Sequence, residues 1–288
     1  MSYLFQYKND GVVLNTDVTP DEPFVDITKV SGLDNAPFRT TEREREGMDG
    51  GFVDAEFETV RTIVLEGTVY AGSDFDKLEP YMDSLKTNYA PRRHPEPFYF
   101  EIPGIFKRLA FAKSYGVKYD IDQARRIGSS PIQIQLIAED PAIYSSGVIN
   151  LETTLAVATT GRGYNRSFDY GYGPPIAGGR ITITNAGNRP TGGVLTIRGP
   201  IEDPEIVHDI SGNHLAFDIT LHEEQYLDID LRNRTVLLNG SANRRGSMMA
   251  SSQWFLLDPG PNSLRFQGSK IAESPIPVLE ITTRSAYR

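Results

Sequence analysis

Gln225-Tyr226-Leu227-Asp228-Ile229-Asp230-Leu231 alternates apolar and acidic side chains. Successive side chains of an extended strand point to opposite faces, so this stretch makes one buried and one solvated face. Outward from it, short strand-like runs recur at 180–184, 193–198, 205–209, 214–220, 235–239, 253–257, 263–266 and 278–283. Turn signals separate them at 185–188, 211–213, 239–240 and 258–262. Regular short strands with such punctuation predict a β-sandwich over 180–288.

The first half reads as strands around a single helix. Leu4–Tyr7 and residues 11–14 flank an Asn9-Asp10-Gly11 hairpin turn. Further strand-like runs lie at 24–30, 52–57, 62–70, 98–102, 108–115, 116–120 and 131–137. The last of these, Pro131-Ile-Gln-Ile-Gln-Leu-Ile137, alternates strictly. Phe75, Leu78, Met82, Leu85 and Tyr89 recur at helical spacing behind Ser73 and Asp74, either of which can cap, predicting a helix over about 74–89. Pro80 inside this pattern either kinks the helix or is the first residue of its main part. The fold class is therefore mainly β, with α+β character in the first half. The expected organisation is a domain over 1–142, a Gly/Tyr/Pro-rich connection over 143–179, and the sandwich over 180–288.

Composition narrows the function. The chain of 288 residues carries 29 Lys and Arg against 38 Asp and Glu, a net charge of −9, and the excess acid sits almost wholly before residue 143. A binder of nucleic-acid backbones needs clustered cations, so tight nucleic-acid binding is not expected. Cys is absent, which excludes disulfides, Cys-ligated metals and a thiol nucleophile. The N-terminal stretch has no basic segment followed by an apolar one, and no run is long enough for a membrane helix, so a chain made in a cytoplasm and not inserted in membrane is expected.

No constellation builds an active site. His94, His208, His214 and His222 are scattered over predicted strands and turns, and His222-Glu223-Glu224 lacks a second His one turn on. Asp120/Asp122 and Asp228/Asp230 place paired carboxylates on one strand face, which reads first as a solvated face and second as an acid/base or cation pair. Nucleophile-elbow and phosphate-loop motifs are missing. No catalytic residue, cofactor or metal is expected. The polar stretch Asp34–Gly51, with Arg39 and Glu42-Arg43-Glu44-Arg45-Glu46, is too polar for core; a loop, or a segment that orders on contact with a partner, both fit it. Trp254, followed by Phe255, Leu256 and Leu257, is expected to anchor the sandwich core, with sugar stacking as the other use of its ring.

Several motifs together resemble a known family. Gly199-Pro200-Ile-Glu-Asp-Pro204, Thr235-Val-Leu-Leu-Asn239-Gly240, the stretch from Trp254 through Pro259-Gly260-Pro-Asn262 to Phe266, and the closing Arg284-Ser-Ala-Tyr-Arg288 are similar to the C-terminal domain of siphophage distal tail (Dit) proteins. Asp49-Gly50, then Arg61-Thr-Ile63-Val-Leu65-Glu-Gly67 and the single helix, resemble the family's ring-forming N-terminal domain. The resemblance implies a homohexameric ring whose N-terminal, β-sandwich-like domain stacks on the tail tube while a galectin-like antiparallel sandwich projects outward. It also implies a place at the virion tail tip after assembly in the bacterial host cytoplasm. Tube protein, tail-tip hub and, in some phages, receptor-binding proteins would be the partners, with DNA passing through unbound. Arg39, Glu42, Arg43, Glu44, Arg45 and Glu46 are then candidates for contact with a neighbouring subunit, the tube or the hub. A carbohydrate-binding module contributing to host adhesion, and a glycoside hydrolase built on a carboxylate pair, are the competing functions.

Overall fold

The computed structural model describes residues 3–16, 21–53, 57–72, 74–121, 123–155, 179–271 and 275–288. The chain divides into two units, Met1–Ser146 with Tyr287–Arg288, and Gly147–Ala286.

The first unit is an antiparallel sheet running in the order Val13–Leu14, Leu4–Tyr7, Glu96–Ile102, Ile105–Tyr119, Ser129–Ala138, Arg61–Tyr70, Phe24–Ser31. Its organising element is the 15-residue strand Ile105–Tyr119, which pairs with Glu96–Ile102 along its first part and with Ser129–Ala138 along its second. Two separate strands were expected here. A bulge between Ser114 and Val117, with Gly116 at φ +101°, bends one strand instead of ending it. The alternation of 131–137 does its predicted work, burying Ile132, Ile134 and Leu136 against Ile63, Leu65, Phe98 and Phe100.

The helix spans Leu78–Asn88 and turns Leu78, Met82 and Leu85, followed by Tyr89, into this core. A short 3-10 turn, Phe75–Lys77, precedes it, and the Asp74 carboxylate accepts the Asp76 N–H at 3.1 Å. Pro80 is neither a kink nor the first helical residue. It sits in the first α turn, where backbone N–H groups have no intrahelical acceptor, so its missing donor costs little.

The second unit is a sandwich of two antiparallel sheets. One has the order Ile149–Thr154, Val278–Thr283, Gly193–Arg198, Tyr226–Asp230, Thr235–Leu238, Ala242–Asn243. The other runs Arg180–Asn185, Gly260–Lys270, Ile201–His208, His214–Ala216, with Thr220–Leu221 also on Ile201–His208. Leu227 and Ile229 are fully buried while Tyr226, Asp228 and Asp230 are half-exposed, as the alternation requires. Leu195, Ile197, Ile206, Phe217, Leu264, Phe266 and Leu279 complete the core.

Three sequence expectations change here. Residues 143–155, read as the start of a connection, hold the strands Ile143–Ser145 and Ile149–Thr154, one in each unit; the rest of that connection, 156–178, lies outside the described residues. The predicted strand over 253–257 is a single bridge between Leu257 and Thr191. The predicted turn at 258–262 contains the first residues of the strand Gly260–Lys270. Asn262 closes this bend: its amide donates to the carbonyls of Asp258 and Gly260, and its Oδ1 accepts the Asp258 N–H and faces the buried His208 Nε2 at 3.1 Å.

Asp209 ties two strands of the second sheet together. Burial pushes its carboxyl up, but the Ser263 hydroxyl, Arg265 and Arg180 outweigh that and hold it below the usual carboxylate range. A depressed folded pKa contributes stability that is present above the unfolded value of about 3.9 and lost as pH falls through the folded value. Asp209→Asn should therefore be less stable than the parent at neutral pH, with the difference closing as pH falls below about 4 and the parent's own carboxyl becomes protonated. A stability difference that does not change with pH would remove this pair from the account.

Candidate assembly interface

The segment that follows the edge strand Phe24–Ser31 leaves the first unit as a two-stranded arm. Gly32 makes the exit: at φ +83°, a Cβ there would lie 1.9 Å from the Thr62 carbonyl oxygen, so only glycine fits. Arg61 holds the base. Its side chain is 1% exposed, and Nε donates to the Pro141 carbonyl at 2.8 Å while Nη1 donates to the carbonyls of Gly32, at 2.9 Å, and Asp34. The arm closes above this point, where the Thr59 N–H and hydroxyl both donate to the Pro37 carbonyl, at 2.8 and 3.1 Å.

Two ribbons follow. Phe38–Arg39 pairs with Phe57–Glu58, and Glu42–Glu44 pairs with Gly51–Val53. The Arg45 N–H extends the second ladder by donating to the Gly50 carbonyl at 3.2 Å, and Glu46 to Asp49 turn the chain. The stretch 34–51 is thus a paired ribbon and not a loop. The signal was present in Glu42-Arg43-Glu44-Arg45, whose period of two is a strand period carried by charge instead of hydrophobicity.

Every described residue of these ribbons except Glu58 is exposed, including Phe38, Phe52, Val53 and Phe57, each about half exposed or more. Met48 at the tip is 70% exposed. Arginines partly cover two of the rings: the Arg39 guanidinium lies 6.0 Å from the Phe57 centroid and that of Arg45 lies 4.5 Å from Phe52. Apolar rings on a narrow two-stranded ribbon have no core of their own to enter, which makes this surface a candidate contact site. The candidate residues Arg39, Glu42, Arg43, Glu44 and Arg45 are brought together on this arm, with Glu46 at its turn. The aromatic residues beside them, expected in a separate strand over 52–57, join the arm because 51–53 pairs with 42–44 as a hairpin.

Trp254 is partly buried against the second core, with the Arg245 guanidinium 5.9 Å from its ring, while the fully inserted members of its segment are Phe255 and Leu257. The paired carboxylates of 228 and 230 are occupied structurally. Asp228 accepts the Thr196 hydroxyl at 2.7 Å, and Asp230 accepts the N–H groups of Arg232 and Asn233 and the Asn233 side-chain amide. His208 is buried between Ser211 and Asn262 and stacked on Phe255. Among the described residues no group of three or more His, Cys, Asp or Glu is placed to hold a metal ion, and no helix is long and apolar enough to cross a membrane.

Residues 186–276 match the family described as siphovirus-type tail component, C-terminal domain. The chain is also similar over 97% of its length to 98% of the Dit protein (gp 19.1) of phage SPP1, at 15% identity and a TM-score of 0.63; that crystal structure is presented as a paradigm of the hub adsorption apparatus in phages infecting Gram-positive bacteria. Residues 186–276 carry a siphovirus-type tail component domain. A second likeness, to a chain of the phage P2 baseplate in its activated conformation with Ca, covers 98% of this chain and 97% of that one at 12% identity and a TM-score of 0.50. A search of curated proteins finds no match. At these identities the solved structures speak to the fold, and the family match lies wholly in the sandwich. The arm and Arg61 lie outside the matched residues.

Proposed function

We propose that this protein forms a homohexameric ring at the end of a siphophage tail tube and joins the tube to the tail-tip hub and its adsorption apparatus. The observation that carries this reading is the tail-component domain at 186–276 within a chain similar over nearly its whole length to a hub-apparatus Dit protein. The first unit, with the arm, is the ring-forming part, and the sandwich faces outward. Receptor-binding proteins attach through the tail tip in those phages that use them, and the ring is assembled in the host cytoplasm.

The acidic balance of residues 1–142 suits a conduit, since a negative wall repels passing DNA instead of retaining it. Antibody raised against the purified chain should label tailed particles at the end of the tube remote from the head. Label on the capsid or along the whole tube would contradict the placement.

The arm is the inter-subunit contact in this reading. Deleting residues 40–50 removes the Glu42–Glu44 strand and the turn but leaves Arg61 and both cores intact. Assembly should be lost while the melting temperature of the monomer stays within about 2 °C of the parent, as for a surface change. Retained assembly would remove the arm from the interface.

A further inference from the structure

The alternation Glu42-Arg43-Glu44-Arg45 has a consequence in three dimensions. Residues two apart on a strand share a face, as do directly paired residues on neighbouring strands. Arg43 is paired with Phe52, and Arg45 lies over the same ring, so Arg43, Arg45 and Phe52 form one face. Glu42 is paired with Val53 and Glu44 with Gly51, so Glu42, Glu44 and Val53 form the other. The ribbon is basic and aromatic on one side, and acidic with a single valine on the other, and all of these residues are exposed.

Such a ribbon is complementary to a copy of itself. We propose that the arms of neighbouring copies of this chain stack face to face, the acidic face of Glu42 and Glu44 on one copy against the basic face of Arg43 and Arg45 on the next. The occupant of each face is a second copy of the same segment, because the charge pattern each face requires is the one its opposite face carries. The contact is heterologous, one face meeting the other, so every arm that accepts a neighbour offers a fresh face to the next. Repetition then either closes a ring or propagates a chain. A two-fold contact would instead bring like faces together, setting Glu42 and Glu44 against their own copies. Val53 and Phe52 come together at the same junction, which gives the two large exposed side chains of this ribbon a shared site to bury. The inference rests on the arm being the inter-subunit contact and names what it contacts.

Charge reversal tests it with built-in rescue. Glu42→Arg/Glu44→Arg makes both faces basic, and Arg43→Glu/Arg45→Glu makes both acidic. Each variant alone should show an apparent dissociation constant for self-association at least about tenfold weaker than the parent in sedimentation velocity at 50 mM salt, because like charges now face one another. An equimolar mixture of the two should recover assembly, since basic and acidic copies can alternate. The chain carrying all four substitutions should also assemble, because it again has one face of each sign. Parent assembly should weaken as salt is raised. All four positions are exposed, and unchanged circular dichroism would show that the variants are folded.

If the parent assembles, deletion of 40–50 abolishes assembly, and yet the mixture of variants fails to associate, the arm remains an interface but its partner is not another arm. If the deletion leaves assembly intact, the underlying reading of the arm fails. If the parent stays monomeric up to the highest attainable concentration, self-complementarity of the arm is contradicted.

Discussion

Arg61→Met should lower the stability of the first unit by about 3–5 kcal/mol, because the carbonyls of Gly32, Asp34 and Pro141 each lose a charged donor and an unsatisfied buried carbonyl costs about 1–3 kcal/mol before relaxation. Methionine fills much of the space, so the loss reports hydrogen bonding more than a cavity. Lysine keeps the charge but not the fork that reaches three carbonyls, and Arg61→Lys should fall between parent and Met. The readout can be made specific to one unit. The only tryptophan, Trp254, lies in the second unit, so its emission follows the sandwich, while far-ultraviolet circular dichroism follows both. Arg61→Met should pull part of the dichroism transition to lower urea and leave the Trp254 transition in place. A variant as stable as the parent would mean that water or other groups satisfy those carbonyls equally well.

The mirror-image effect is expected from Phe266→Ala. Phe266 is fully buried in the sandwich core, on the strand Gly260–Lys270 and paired in register with Ile206. Truncating a buried phenylalanine costs about 3–5 kcal/mol in lost burial and residual cavity. Here the Trp254 transition should move to lower urea while the portion of the dichroism change belonging to the first unit stays. If both variants shift both probes equally, the two units unfold as one cooperative body and the separation of their cores has no thermodynamic counterpart.

Where hydrophobicity carried the period, the sequence was legible. Residues 226–230 and 131–137 alternate because one face enters a core, and the strands Gly193–Arg198 and Val278–Thr283 fall at the residues read for them. The helix was legible for the same reason. Its start was blurred by Pro80, because a 3-10 turn and an α-helix share the spacing of Phe75, Leu78 and Met82. The arm was not legible, since its period is written in charge and its exposed aromatics have no core to reveal which way they face. Arg61 was legible in principle. It shares the parity of Ile63 and Leu65, so the alternation already placed a guanidinium on the buried face of that strand, a position that obliges it to find buried acceptors. The bulge at Ser114–Val117 was hidden because a glycine that bends a strand and a glycine that ends one look alike in sequence.

The central claim is that this chain closes into a ring through its first unit. Negative-stain electron microscopy of the purified protein, with mass photometry over a range of concentrations, tests it most directly. The account predicts six-fold rings with a central hole, lost on deletion of residues 40–50. Monomers at every concentration, or closed two-fold dimers that survive the deletion, would contradict it.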